Sequence, residues 1–417
     1  MKFLIHFAWK NLSRYRKRTV ITSLALAFGI GLYIFTDSML VGIAEESERN
    51  LIWYETSSAR IMDKEYWQEK DNLPLKYAID NKEQVLDTLK AAGIKAAPRT
   101  VFAGEVIVYK DPYPEDGSIY SKIFAIDPLK DSDVFRFKDA IVKGRYLKPG
   151  ENGVLIGSWL AEDIGADVGF PLSITTRTRD GYMQVIDTTI VGIINCPNPY
   201  INRASLFIPL DTADSYLDMR GGVTEIDMKY SNFRKAASIS SEVLEKLGPL
   251  AERVEIKTWE ELAADFIALA EMKSKSSGIF LLLIFVIAIV GVSNTMLMAV
   301  FERERELGMM RAMGMEDKQV RRAFLLEAAG IGIIGSLAGI LFGILLDFLI
   351  IHWGIDYTSI LRKADMGYRV SGVLYGTWNP SAMIKAFFIG IFLAVASAWI
   401  PVKRGLKMEI TDTLRNV

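Results

Sequence analysis

Few residues of this chain are of a type that could do chemistry, and their spacing argues against catalysis. There are two histidines, His6 and His352, and a single cysteine, Cys196. A metal centre built on histidine or cysteine needs several such ligands brought together, and these cannot supply one. A nucleophilic triad would have only the same two histidines to draw on. Asp127, Asp131 and Asp133 fall close together, but the run lacks the glycine and closing glutamate of a calcium loop, so they read as solvated loop acids. No Gly-x-x-x-x-Gly-Lys-Ser/Thr occurs, so the chain has no P-loop of its own, and Gly165–Gly169 lacks a dinucleotide fingerprint. The expectation is a non-enzymatic chain with no catalytic residues, no metal and no cofactor of its own. A net charge of -1 gives no reason to expect nucleic acid as a partner.

One stretch carries a different kind of chemistry, that of a docking surface. Residues 301–326 read FERERELGMMRAMGMEDKQVRRAFLL. The alternating charges Glu302, Arg303, Glu304, Arg305 and Glu306 support a solvated helix through pairs three and four residues apart. Gly308 and Gly314 bracket an apolar patch of Met309, Met310, Ala312 and Met313, and methionine suits an adaptable contact surface. A docking knob for another protein and an ordinary charged loop between two helices both fit this pattern.

The elements that would hold this stretch are membrane helices. Half of the residues are hydrophobic and the mean hydropathy is +0.20, above the usual soluble range. A helix needs about 20 apolar residues to cross the hydrocarbon core. Four runs meet or approach this: Thr19–Val41, Gly278–Val300, Ala328–Leu346 continuing past Asp347 to Ile351, and Ala386–Val402 with Lys385 able to snorkel. The first run starts late and shows no small-residue cleavage site, so it reads as an uncleaved signal anchor. Asp37 and Asp347 read as helix-end acids at the interface. Lys and Arg crowd the segments before the first run, between the second and third, and after the fourth, which puts all three on the cytoplasmic side. Gly335, Gly339 and Gly343 put small residues on one face of the third span, for close approach of the chain's own helices or of a partner subunit.

The resulting expectation is an α-helical membrane protein with four transmembrane helices plus an α+β extracytoplasmic (periplasmic) domain inserted between helices 1 and 2. Its parts are 1–18, a cytoplasmic amphipathic helix leading into the membrane; 19–44, helix 1 and a stalk; 45–275, the extracytoplasmic domain; and 276–300, helix 2. Then come 301–322, a cytoplasmic coupling loop; 323–351, helix 3; 352–383, an extracytoplasmic loop; 384–402, helix 4; and 403–417, a cytoplasmic tail. The insert is long enough for its own core. Short strand-like runs such as Val101–Tyr109, Lys122–Ile126 and Met183–Ile194 alternate with helical patterns at Asn81–Ala92, Ser238–Leu247 and Trp259–Met272. The last of these is expected to run directly into helix 2, making a stiff stalk or a passive tether.

The 301–326 stretch also resembles the coupling region of the MacB/FtsX/Lol superfamily of ABC-transporter permeases. Its pattern E-R-x-x-E-x-G-x-x-R-A-x-G is met by Glu302, Arg303, Glu306, Gly308, Arg311, Ala312 and Gly314. Phe324, Leu325, Glu327 and Ala328 match the run that follows it in the family. The start, Ala8-Trp-Lys-Asn-Leu-Ser-Arg-Tyr-Arg-Lys-Arg-Thr19, and the tail Pro401–Arg415 are similar to the family's ends, although Ile410 stands where proline is usual and Thr413 also departs. Within the superfamily the outer domain looks like that of lipoprotein-releasing permeases of the LolC/LolE type, on Pro98-Arg99, Gly144–Gly150, Val154–Gly157, Leu160-Ala161, Val191–Ile193 and Phe207–Leu210. The hairpin Thr175–Val185 is shorter than the hook by which the paralogue captures a soluble carrier.

This resemblance implies a permease in the inner membrane of a bacterium, both termini cytoplasmic, paired with a second permease, identical or paralogous. It implies a P-loop ABC ATPase partner that binds ATP and Mg, a lipid-anchored protein as substrate, and a periplasmic lipoprotein carrier as a further partner. The ATPase would grip Glu302, Arg303, Glu306, Gly308, Met309, Met310, Arg311, Ala312 and Gly314. Lateral access to the bilayer would be lined by Phe35, Met39, Phe280 and Ile284, side chains that plain lipid contact or helix packing accounts for more readily. The rival readings are export of a peptide or toxin as in MacB, a regulatory transmitter as in FtsX, and a membrane-anchored receptor with no ATPase.

Overall fold

The computed structural model describes residues 10, 12–14, 16–107, 118–359, 369–370 and 372–406; at 18, 273–282, 284, 288, 299, 304 and 307 it describes the backbone alone. The described chain forms two units. One takes the residues up to Ala44, Ala270–Asp356 and those from Val373 onward; the other takes Glu45–Leu269 with the part of Tyr357–Gly372 that is described.

The first unit is helical. Helix α1 spans Arg16–Leu51, α2 Ala264–Glu302, α3 Glu304–Ala312, α4 Asp317–Trp353 and α5 Pro380–Gly405. Stretches within α1, α2, α4 and α5 are long and apolar enough to cross a membrane. Their packing follows the glycine spacing. A Cβ added at Gly335 would come 2.9 Å from Leu26, one at Gly339 2.7 Å from Ile30, and one at Gly343 2.9 Å from Ile34. The small-residue face of α4 thus meets α1 of the same chain, and Gly332 meets Ile391 and Ala394 of α5. A larger side chain in this seam would cost about 1–3 kcal/mol of overpacking. Asp347 continues the same four-residue row and is fully buried within the helical unit, on a helix that runs on to Trp353. Asp37 accepts a hydrogen bond from Asn379 at 2.8 Å, just ahead of α5.

The second unit is built on a ten-stranded mixed sheet. Its strands are β1 Ala59–Asp63, β2 Lys95–Ile107, β3 Ser118–Ile126, β4 Ile141–Gly144, β5 Gly153–Gly157, β6 Pro171–Arg177, β7 Met183–Ile194, β8 Ser205–Pro209, β9 Glu225–Lys229 and β10 Val254–Thr258. They lie in the order β10-β1-β9-β2-β3-β8-β5-β7-β4, with β6 bridging β2 and β7. Pairing is antiparallel except between β3 and β8 and between β5 and β7. Alternation sorts the side chains. One face buries Ile61, Ile226, Phe102, Ile123 and Leu206 under the flanking helices. The other buries Val101, Phe124, Ile126, Leu155 and Phe207 beside a row of charges.

That row departs from the sequence reading. Asp131, expected as a solvated loop acid, is fully buried in the helix Pro128–Val134. It accepts two hydrogen bonds from Arg99, at 2.6 and 2.8 Å, and a third from the Tyr146 hydroxyl at 3.0 Å. The Arg99 guanidinium also lies 3.5 Å from the centre of the Phe135 ring. Asp127 caps the same helix and Asp133 pairs with Lys95 on the surface. The helical pattern at 259–272 is also interrupted, because Trp259–Leu262 forms a capped turn and α2 starts afresh at Ala264.

Cys196 is 4% exposed in the second core, and burial pushes its thiol up to about 12. A thiol held protonated and out of solvent is inert to alkylation. Folded protein at neutral pH should therefore label with iodoacetamide at least about 100-fold more slowly than urea-unfolded protein, as read by mass spectrometry. Equal rates would show that this core is not closed.

Candidate coupling site

The charged segment after α2 folds as the sequence spacing requires. The helix breaks at Arg303, which leaves helical geometry with φ -108° and ψ 22°, and α3 begins at the next residue. The break turns Arg303 inward. It is 2% exposed and donates to Glu327 of α4 at 2.8 Å, with Glu306 at 3.8 Å. Glu327 is equally buried. Glu306 is also 3.4 Å from Arg14. Beside this pair, Met310 packs with Val300, Val320, Phe324 and Val402.

The far end of α3 is closed by Gly314. Met313 donates to the Met309 carbonyl, Met315 to Met310 and Gly314 to Arg311, at 2.9, 3.1 and 3.0 Å. Such a left-handed helix ending favours glycine, and Gly314 has φ +92°. Arg311 then pairs with Asp317 at 3.0 Å, in the first turn of α4. Glu316 and Gln319 close that turn as a capping box.

The nine residues expected to meet an ATPase thus divide by exposure. Arg303, Gly308 and Met310 face inward and build the support. Glu306 and Arg311 are half-buried in ion pairs. Glu302, Met309, Ala312 and Gly314 are exposed. Met309 is 50% exposed and Met313 79%, so two methionines stand out from a braced turn. Glu327 was not among the expected site residues, although an acid following an apolar run is a visible signal. Of the four residues expected along a lateral opening, Phe35 and Met39 are half-buried on α1. The side chains of Phe280 and Ile284 lie outside the described residues. Tyr33 of α1 and Phe285 of α2 meet at 5.2 Å between ring centres.

Four helices long and apolar enough to cross a membrane, with a braced turn between the second and third, are the features a multi-pass membrane protein requires. Residues 278–410 match the C-terminal domain of FtsX-like permeases. The chain is 26% identical to the lipoprotein-releasing system transmembrane protein LolC of Xylella fastidiosa over 284 residues, covering 64% of this chain and 66% of that protein. It thus spans just under two thirds of that relative. It is 23% identical to an ABC transporter permease of Methanocaldococcus jannaschii, covering 99% of this chain and 97% of the relative. The cell division protein FtsX of Streptococcus pneumoniae is 33% identical over 131 residues, 31% of this chain and 40% of FtsX. The chain thus carries an FtsX-like permease C-terminal domain over residues 278–410 and is similar to permeases named LolC, FtsX and MacB.

Removing one partner of a buried ion pair strands the other charge, at a cost of about 3–5 kcal/mol. Glu327→Ala should therefore lower the thermal stability of the purified protein more than Glu302→Ala, an exposed neighbour, and Arg303→Met with Glu327→Met should recover most of the loss. Equal effects of the two single alanine variants would remove the pair as the brace of α3.

Proposed function

We propose that this permease works as one of two membrane subunits that couple ATP hydrolysis in separate ATPase subunits to movement of its sheet unit. Its cargo is a lipid-anchored protein, drawn from the inner membrane for release towards the outer membrane. The chain itself is then not an enzyme, and ATP and Mg are held by the partner. Both termini face the cytoplasm and the sheet unit faces the periplasm, which is the orientation the Lys and Arg distribution favours.

The observation that carries this reading is the turn from Met309 to Met313: apolar, outward, and fixed from behind by Arg303, Met310 and Gly314. A rigid projection transmits displacement, and methionine adapts to a groove on a partner. Moving acyl chains out of a bilayer costs about 0.8 kcal/mol per CH2, so extraction needs an energy source of this kind. The match with LolC runs over 284 residues against 131 with FtsX, which favours lipoprotein release over a regulatory transmitter. The β6–β7 turn is tied down by Arg179 to Asp80 at 2.8 Å and by Asp180 to Arg220 at 2.9 Å. It is no projecting hook, so a soluble carrier is met on another surface.

The test is affinity purification from native membranes in mild detergent, followed by mass spectrometry. A P-loop ATPase should co-purify, and Met313→Glu with Arg311→Glu should reduce its yield by about tenfold or more, the ratio set by losing about 1.4 kcal/mol of contact. Lipoproteins in the sample support extraction; a wall hydrolase or an outer-membrane channel would point instead to signalling or export. Absence of any ATPase under several gentle conditions would overturn the coupling reading.

A further inference from the structure

The start of α4 and the end of α5 lie side by side, since Val320 and Phe324 pack with Val402. On this seam the Arg321 guanidinium lies 5.3 Å from the centre of the Trp399 ring. Trp399 is 47% exposed and Arg321 is half-buried. Helical spacing carries the strip one turn further on each helix. Lys318 stands three residues before Arg321, and Lys403 stands four after Trp399. Both lysines are exposed.

Among the described residues no carboxylate comes within 4 Å of Arg321, Lys318 or Lys403. The acids nearest in sequence are spent: Asp317 holds Arg311 at 3.0 Å and Glu316 caps α4. Like charges set side by side repel, and an anion between them relieves the repulsion. Charges that only set the orientation of a helix need no fixed geometry. Arg321 has one, because the ring beside it holds its planar fork.

The seam also ends at the right depth for a lipid headgroup. From Pro380 to Trp399 is about 28 Å of helix at about 1.5 Å per residue, close to a hydrocarbon core of about 30 Å. With Pro380 at one boundary, Trp399 stands at the other, a place tryptophan favours. On the same strip of α5, towards the bilayer centre, Phe392 and Phe388 are exposed. Rings at membrane depth with cations just beyond them match acyl chains that end in an acidic headgroup.

We infer that this end of the α4–α5 seam binds an anionic phospholipid with two phosphates, of the cardiolipin class. One phosphate meets the Arg321 fork and the other meets Lys318 and Lys403, while the acyl chains lie along Phe392 and Phe388. The inference rests on α4 and α5 crossing a bilayer, and not on the cargo proposed above.

The purified full chain, delipidated in mild detergent, would be titrated with cardiolipin, phosphatidylglycerol and phosphatidylethanolamine and read by native mass spectrometry. Cardiolipin should be retained at least about tenfold more tightly than phosphatidylglycerol, which offers one phosphate, and phosphatidylethanolamine least of all. Lys318→Gln and Lys403→Gln should each weaken cardiolipin binding about fivefold, the ratio that about 1 kcal/mol per cation gives. Lys385→Gln, at the opposite end of α5, should leave it unchanged, and equal thermal unfolding of the three variants would show each to be folded. Equal retention of cardiolipin and phosphatidylglycerol would overturn the inference, as would the same loss from Lys385→Gln. So would a Lys318→Gln, Lys403→Gln double variant that keeps cardiolipin and loses a co-purifying ATPase, which would assign these cations to a protein partner.

Discussion

Helix α4 lies against α1 along a row of positions that carry no side chain: Gly335, Gly339 and Gly343 admit Leu26, Ile30 and Ile34 almost to the backbone. Between two helices in lipid there is little hydrophobic gain from association, so dispersion at short range has to supply the attraction. Everything else in the helical unit follows from that contact. With α4 held to α1, and α5 held to α4 at Gly332, the start of α4 becomes a fixed platform. Val320, Phe324 and Glu327 stand on that platform, and they receive Met310 and Arg303. The exposed methionines of the turn are therefore placed by packing that lies several turns away from them.

The sheet unit solves a different problem. One of its faces is an ordinary apolar core, but the other embeds Arg99, Asp131, Glu225 and Asp227 with almost no access to water, beside a half-buried Arg60. Each ion would cost several kcal/mol to desolvate alone, roughly, and pairing with good geometry offsets that cost without much net gain. What such a row does contribute is selectivity of register. Sliding β9 by one residue against β2 would move Glu225 and Asp227 into the apolar core and Ile226 into the charged row. The strand pairings are thus fixed from both sides, by apolar burial on one face and by charge pairing on the other.

How much of this was legible in the sequence depends on the range of the interaction. The four apolar helices could be read from runs of residues, and the turn closed by Gly314 from local spacing. The small-residue row of α4 was visible too, but not its occupant, because nothing in a four-residue repeat says which helix it meets. The Arg303–Glu327 and Arg99–Asp131 pairs join residues 24 and 32 positions apart, and no local rule reaches that far. Asp131 was misread for the same reason: an acid near two others looks solvated until its helix turns it onto a strand. The break at Ala263 is not visible in the sequence because the apolar periodicity continues through it; the capping box of Thr258 and Glu261 starts a short turn that stops where Ala263 leaves helical geometry, at φ -107° and ψ 21°.

Ala59 and Thr258, close to the two ends of the inserted segment, are partners in register on adjacent strands, and the amide of Trp259 donates to the Ser58 carbonyl at 3.2 Å. The two ends of the segment between α1 and α2 therefore come together at a hydrogen-bonded neck. Segments whose ends meet can be exchanged for others with little strain on the host. A neck of this kind would let the sheet unit be exchanged as one body. A permease could change what it handles by splicing a different body onto the same neck, without altering a residue of the glycine seam or of the braced turn.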